Sequence, residues 1–291
     1  MLLRSMFFVP GHKTQFLEKC LSFPVDAVIL DTEDSVPLDS KHIARKNILD
    51  FLNAREEFPF EIFIRLNEIN SGFLLDDLDA LTHKRVTGFM LSKVFNELDI
   101  SFYSMLLKQY EYRHNFPQKK FKLCPLIECC SAILNLDKIA KNCTERLVGI
   151  AFGGEDYLTD LNGSHGLNDS TFHYPLAKIG LVANSVKTRA IDTPYLQVYD
   201  LAGFQTRLQM SRSLGFSGCL LVHPNQIEVA NRIFSPTETE INEAKEIVSA
   251  VKHAKEKNLS VSLVDGKLVG PPMLKHAEKI LQESQLIEQK V

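Results

Sequence analysis

Short apolar runs of four to six residues recur along the chain, at 6–9, 27–30, 62–65, 88–91, 123–127, 147–152, 190–193 and 219–222. Most are rich in Val, Ile, Leu and Phe, and apolar along their whole length, as parallel strands buried on both faces are. Between them apolar residues return every three or four positions, which predicts helices over 13–21, 40–52, 74–81, 95–112, 132–141, 172–186 and 201–213. Asp39 and Ser40 offer a cap for the second of these. Helices at 226–234, 238–257 and 273–287 follow the last strand. Eight strands alternating with helices predict an α/β fold, a closed (β/α)₈ TIM barrel. An open doubly wound sheet is the alternative, weakened because no GxGxxG follows the first strand. The expected division is a barrel over 1–234 and a C-terminal helical extension over 235–291, packing on the barrel or on a neighbouring subunit. Lys257-Asn258 and Asp265-Gly266 mark turns within that extension.

Composition adds little that is specific. Of 291 residues 45% are hydrophobic, enough for a large core, and 33 basic against 36 acidic residues leave a net charge of −3. Charge therefore points to neither nucleic acid nor a membrane surface. No apolar run approaches the roughly 18–20 residues of a membrane span. The opening MLLRSMFFVPGHK lacks a signal-cleavage region and closes at Pro10-Gly11 as a strand would. The six cysteines include the adjacent Cys129-Cys130 but no CxxC, so reduced thiols in a cytoplasmic protein are expected rather than a zinc site.

The chemistry lies where strands stop. Asp31-Thr32-Glu33-Asp34 ends the second, Arg65-Leu66-Asn67 the third, Ser92-Lys93 the fourth, Glu128 the fifth, Gly153-Gly154-Glu155-Asp156 the sixth and His223-Pro224 the eighth. In a barrel these ends converge on one rim, where active sites collect. Glu128 and Asp156, from adjacent strands, form the best pair for Mg²⁺, which is usually held by one or two carboxylates with water and substrate oxygens. The bland alternatives are that Glu128 pairs with Arg65 or Lys93 and that Asp156 caps a helix. Glu155 is a neighbouring candidate ligand. Arg65 either grips a substrate carboxylate in a fork or pairs with Asp31 or Asp34. Gly153-Gly154 would let backbone N–H groups approach a ligand, or simply turn the chain. His223 reads as a packed, hydrogen-bonded histidine.

Taken in order, several segments carry a resemblance: Arg4-Ser5, Phe8-Val9-Pro10-Gly11, the stretch from Leu30 to Pro37, Ile64-Arg65-Leu66-Asn67, Pro125-Leu126-Ile127-Glu128, Phe152-Gly153-Gly154-Glu155-Asp156, Ile191-Asp192-Thr193-Pro194-Tyr195, Val222-His223-Pro224-Asn225-Gln226 and Phe234-Ser235-Pro236-Thr237. Together they resemble the citrate lyase β-subunit group of the HpcH/HpaI aldolase/citrate lyase superfamily, which includes malyl-CoA and citramalyl-CoA lyases. The resemblance implies an Mg²⁺-dependent carbon–carbon lyase joining or separating a 2-oxo acid (oxaloacetate, pyruvate or glyoxylate) and an acyl-CoA or acyl-carrier thioester. It implies metal ligation by Glu128 and Asp156, a carboxylate grip by Arg65, and an acidic loop at Glu33-Asp34 beside the catalytic centre. Substrate contacts are expected at Phe8, Lys13, Arg65, Glu128 and Gly154, with Lys13 meeting a CoA phosphate. Trimers or hexamers are implied.

The sequence departs from that pattern near its end. Lyases of the group carry an Asp in a stretch resembling M-V-D-x-P, supplied across a subunit interface. Here the stretch reads Leu268-Val269-Gly270-Pro271-Pro272, and the nearest carboxylate is Asp265. Ile127-Glu128-Cys129-Cys130 also departs from the group's I-E-T pattern. Two further expectations stand beside the thioester lyase: an accessory subunit that binds metal and oxo acid, and a pyruvate-type class II aldolase acting on free oxo acids.

Overall fold

The structure, a computed structural model, describes residues 1–142, 145–256, 261–264 and 267–290. The chain divides into two compact units, one of Leu3–Asn231 and one of Met1–Leu2 with Arg232–Val291.

In the first unit eight parallel strands close into a barrel in sequence order. They are β1 (Ser5–Pro10), β2 (Ala27–Asp31), β3 (Glu61–Leu66), β4 (Gly88–Leu91), β5 (Lys122–Ile127), β6 (Gly149–Phe152), β7 (Arg189–Asp192) and β8 (Gly218–Leu221). Pairing of Ser5 with Cys219 closes the ring. The open-sheet alternative is thereby excluded. Each predicted run lies within two residues of an observed strand. The largest offset is before β6, where Leu147 bridges to Leu123 ahead of the regular strand.

Helices α1 (Thr14–Lys19), α2 (Lys41–Asn53), α3 (Leu74–Leu81), α4 (Glu97–Arg113), α5 (Cys130–Lys141), α6 (Gly154–Leu161), α7 (His173–Ser185), α8 (Leu201–Ser213) and α9 (Ile227–Ile233) complete the alternation. Two details correct the sequence expectations. Ser40 stands at the N-cap of α2 but its side chain makes no capping bond. A 3₁₀ turn over Leu38–Ser40, entered from Pro37, leads into that helix instead. And α6, which periodicity does not reveal, begins at Gly154 with Glu155 and Asp156 in its first turn. Gly is a poor helix former, but acids suit the positive end of the helix dipole.

The barrel interior is a plug of side chains from alternate strand positions: Met6, Ala27, Ile29, Phe63, Met90, Cys124, Leu126, Ala151, Ile191 and Leu220. Cys20, Cys124, Cys129, Cys130 and Cys219 are free thiols, and Cys143 lies outside the described residues.

In the second unit α10 (Glu238–Glu256) and α11 (Pro271–Glu288) pack on each other. The extension is helical as expected, and between its helices lies an antiparallel pair, β9 (Ser262–Val264) and β10 (Lys267–Val269), that the hydrophobic pattern does not announce. Residues 257–258 and 265–266, where turns are expected, lie outside the described residues. Among the described residues no helix is long and apolar enough to cross a membrane.

Candidate active site

Side chains on a strand alternate with period two, so each interior apolar residue predicts what comes next on the same face. Met6 leads to Phe8, Ile29 to Asp31, Phe63 to Arg65, Met90 to Ser92, Leu126 to Glu128, Ala151 to Gly153 and Ile191 to Thr193. The barrel plug is thus capped, at the C-terminal ends of its strands, by a polar layer. Phe8, Arg65, Glu128, Gly153, Gly154, Asp156 and Thr193 line one cavity of about 110 Å³, with Leu126 and Leu220 of the core beneath them.

Arg65 and Asp31 are partners in the β2–β3 register. Arg65 Nε donates to Asp31 Oδ1 at 2.8 Å and Nη2 to Oδ2 at 2.6 Å. The expected ion pair with Asp31 is therefore present, and two of the three guanidinium nitrogens are committed to it. Nη1 faces Glu33 Oε2 at 3.1 Å and Asp34 Oδ2 at 3.3 Å. The guanidinium also lies 4.8 Å from the Phe8 ring centroid. Burial alone would push the Asp31 carboxyl up, but Arg65 and bonds from Ser35 and Glu33 hold it below the ordinary range. Glu33 is not so compensated. Burial, with Asp34 and Asp31 nearby, pushes it up to about 7 despite Arg65. Lys93 Nζ stands 3.4 Å from its other oxygen.

Glu128 is 3% exposed. Its Oε1 accepts the backbone N–H of Lys93 at 2.5 Å. Lys93 adopts a left-handed conformation, φ 49°, uncommon for a non-glycine residue, with its N–H on Glu128 and its ammonium beside Glu33. Glu128 makes no ion pair among the described residues, so the expected pairing with Arg65 or Lys93 is not what holds it. Burial first, then the charges of Asp156 and Glu33, push its carboxyl up to about 8. Asp156, exposed in the first turn of α6, is shifted upward too, by burial and by Asp34. A buried carboxylate without a counter-cation, beside two more acids, is a donor set that a divalent cation fits by oxygen-ligand chemistry and by charge. Among the described residues no group of three or more His, Cys, Asp or Glu side chains stands ready for a metal. Of these three acids Glu128 and Asp156 line the cavity, and two carboxylates completed by water and substrate are how Mg²⁺ is usually held.

The glycines make room for this layer. A Cβ on Gly153 would lie 2.7 Å from Glu128 Cβ and 2.8 Å from Oε2. A Cβ on Gly154 would lie 3.0 Å from both Thr193 Oγ1 and Phe172 Cζ. Their N–H groups are not free for a ligand, however: Gly153 donates to the Ile127 carbonyl at 2.9 Å and Gly154 to Thr193 Oγ1 at 2.8 Å. The expectation of N–H donation by this pair is corrected to one of close packing. Thr193, which strand-end polarity alone did not single out, is both partner of Gly154 and part of the cavity wall.

Other candidates stand apart from the metal pair. Lys13 is exposed at the N-cap of α1 and does not line the cavity. Glu155 lines the cavity but turns to His165, 3.1 Å away. His223 Nδ1 accepts the Asn225 N–H at 3.3 Å, the capping role of a packed histidine. A second cavity of about 650 Å³ shares Glu155, Thr193 and Pro194 with the first.

Known proteins agree with this architecture. Residues 4–224 match the HpcH/HpaI aldolase/citrate lyase family. The citrate lyase subunit beta of Leuconostoc mesenteroides subsp. cremoris is 29% identical, with 97% of this chain and 93% of that protein covered. The human mitochondrial citramalyl-CoA lyase is 28% identical over 99% of this chain and 87% of its own. Among solved structures, the CitE protein of Mycobacterium tuberculosis in complex with magnesium, acetoacetate and coenzyme A superposes with a TM-score of 0.77 at 23% identity, covering 97% of each chain. At that identity the likeness establishes the fold.

Proposed function

The chain belongs to the HpcH/HpaI aldolase/citrate lyase family, and on that premise we propose that it is an Mg²⁺-dependent carbon–carbon lyase that cleaves or forms the bond between a 2-oxo acid and an acyl thioester. The observation that carries this is the buried, uncompensated Glu128 at the centre of the strand-end layer, beside Asp156 and Arg65. Glu128 and Asp156 would hold the ion. Once bound, Mg²⁺ supplies Lewis-acid polarisation of a substrate oxygen and stabilises charge developing there.

This chain's own residues do the rest. Arg65 Nη1, which is not bound to Asp31 but faces Glu33 and Asp34, exchanges those contacts for the substrate carboxylate and fixes the acid's orientation. Phe8, stacked on that guanidinium, closes the cavity on the β1 side. Cleavage takes the proton from the substrate hydroxyl, passes the C–C bond electrons to a thioester enolate and releases the oxo acid; the enolate carbon then takes up a proton. Glu33, with a carboxyl near neutrality, and Asp34 border the place where those protons move. A cavity of about 110 Å³ suits the small acid. The thioester arm must leave it, and the adjoining space of about 650 Å³ offers room. Oxaloacetate, pyruvate and glyoxylate are the acids proposed, on a CoA or acyl-carrier thioester. Lys13, though exposed, is retained as a candidate for a CoA phosphate, since it follows β1 and the Phe8 wall. We further propose a cytoplasmic homotrimer or hexamer of the 33.0 kDa chain, to be checked by light scattering on a sizing column.

A second reading, an accessory subunit that binds metal and oxo acid without cleaving thioesters, is favoured by Gly270. Its backbone is extended, φ −139° and ψ −171°, which any residue adopts. A Cβ there would meet nothing nearer than Val261 Cγ1 at 3.7 Å. The backbone does not require glycine, so the carboxylate expected by resemblance is missing without local structural cause. Asp265 lies outside the described residues.

The experiment is a turnover assay with Mg²⁺ on malyl-, citramalyl- and citryl-thioesters and on free 4-hydroxy-2-oxo acids. Release of oxo acid from a thioester, lost on chelation, is expected. Binding of oxaloacetate or pyruvate with no turnover on any substrate would replace the lyase with the accessory role. Turnover of free acids alone would make the chain a class II aldolase.

A further inference from the structure

Lys41 is 5% exposed and is the first residue of α2. Two costs attach to that place. The N-terminal turn is the positive end of the helix dipole, which disfavours a cation, and burial strips the ammonium of water. Nothing in the amphipathic pattern of the helix calls for a lysine there. What the position offers is the underside of the β2–α2 loop: Lys41 Nζ donates to the carbonyls of Thr32 and Glu33, both at 2.8 Å.

That loop carries Glu33 and Asp34 and follows directly on Asp31, all three within reach of Arg65. Its backbone is tied to the end of β3 as well. Thr32 Oγ1 donates to the Arg65 carbonyl at 2.6 Å, and Asn67 Nδ2 to the Thr32 carbonyl at 2.9 Å. Fully buried Asp77 of α3 accepts from the Asn67 N–H at 3.0 Å and from its Nδ2 at 2.7 Å. The loop and the base of Arg65 therefore move together.

We propose that Lys41 is a positioning residue for the carboxylate-binding end of the site. Its charge, delivered through two backbone carbonyls, offsets the acidic loop from below. Without it, among the described residues, Asp31, Glu33 and Asp34 share Arg65 and the half-exposed Lys93, and Arg65 Nη1, already 3.1 Å from Glu33, is held there more tightly against the pull of a ligand. Lys41 touches neither substrate nor metal ligands; it acts through Thr32 and Glu33 on Arg65. The inference rests on the carboxylate grip by Arg65 proposed above.

The test uses the full chain loaded with Mg²⁺ and titrated with pyruvate or oxaloacetate. Lys41→Gln keeps a donor and removes the charge; it is expected to weaken oxo-acid affinity about tenfold or more while leaving Mg²⁺ affinity within about twofold. Lys41→Arg is expected to retain most of the affinity, and Lys41→Met, which also removes the charge, reads its effect if Lys41→Gln does not fold. Adding Glu33→Gln to Lys41→Gln removes one negative charge and is expected to restore binding, which a purely structural lysine would not allow. Wild-type affinity in Lys41→Gln, or no rescue by Glu33→Gln, overturns the proposal. If the wild type itself binds no oxo acid, it is the grip by Arg65 that fails. Crystal structures of Lys41→Gln then decide the positioning role alone: an unmoved 32–34 backbone with Arg65 still on Glu33 at its present distance overturns it, and a displaced loop supports it.

Discussion

At Glu128 the chain places a carboxylate at 3% exposure, with a backbone N–H as its hydrogen-bond donor and two further acids as neighbours. Single side chains around it are fitted closely. Gly153→Ala puts a methyl 2.8 Å from Glu128 Oε2, so overpacking of about 1–3 kcal/mol is expected, read as a lower urea midpoint, together with weaker Mg²⁺ binding. An unchanged midpoint would mean that the Glu128 carboxylate does not fill that space. Arg65→Lys retains charge but loses the fork on Asp31. Oxo-acid affinity is expected to fall about 10–100-fold, the worth of one or two charge-assisted bonds, measured by calorimetry with Mg²⁺ present. Much at this scale was legible: Glu128, Asp156, Arg65 and Phe8 share one cavity as their strand-end positions imply. Lys41 and Asp77 were not, because both sit inside amphipathic helices where a charged residue reads as solvated. Lys93 was legible as a strand-end cation but not as a left-handed turn, since Lys gives no sign of positive φ.

Among elements, buried ion pairs join neighbours that the hydrophobic pattern treats separately. Glu111 of α4 accepts from Arg146 Nη1 at 2.6 Å and Nη2 at 2.7 Å, and from the Lys119 and Phe121 N–H groups that lead into β5. Burial alone would raise its carboxyl; Arg146 and the two N–H groups bring it below the ordinary range. A carboxylate whose native pKa is depressed adds stability above its unfolded value of roughly 4.3 and loses it as pH falls through the native value. Glu111→Gln is therefore expected to flatten the acid limb of a stability-against-pH curve. The same limb in wild type and variant would deny the pair that role. Arg146→Met strands the carboxylate and is expected to cost about 3–5 kcal/mol. The strands were readable because burial on both faces writes four to six apolar residues in a row. Helix α6 was not, since the glycine at its N-cap and the one that opens it mask the start and its acids read as ligands only. The β9–β10 pair was missed although Asp265-Gly266 between apolar runs is a hairpin signal; the flanking strands are only three residues each.

Over the whole molecule, the barrel follows from eight repetitions of one pattern, and its chemistry from the single step by which each strand runs on past the core. The carboxylate that the resemblance expects in thioester lyases falls at Gly270, in the other compact unit. A Cβ at Gly270 makes only ordinary contacts, and Gly270→Asp is expected to raise thioester-lyase turnover by about 10²-fold or more, the scale of a placed general acid or base, with Mg²⁺ affinity unchanged; no gain would show that a carboxylate there is not limiting. The central claim is that Glu128 anchors the metal on which the rest depends. Calorimetric titration of Mg²⁺ into wild type and Glu128→Gln tests it most directly. One ion per chain in the wild type, and affinity lower by about tenfold or more in a variant that stays folded, is the predicted result. Equal affinity in the two proteins would contradict it.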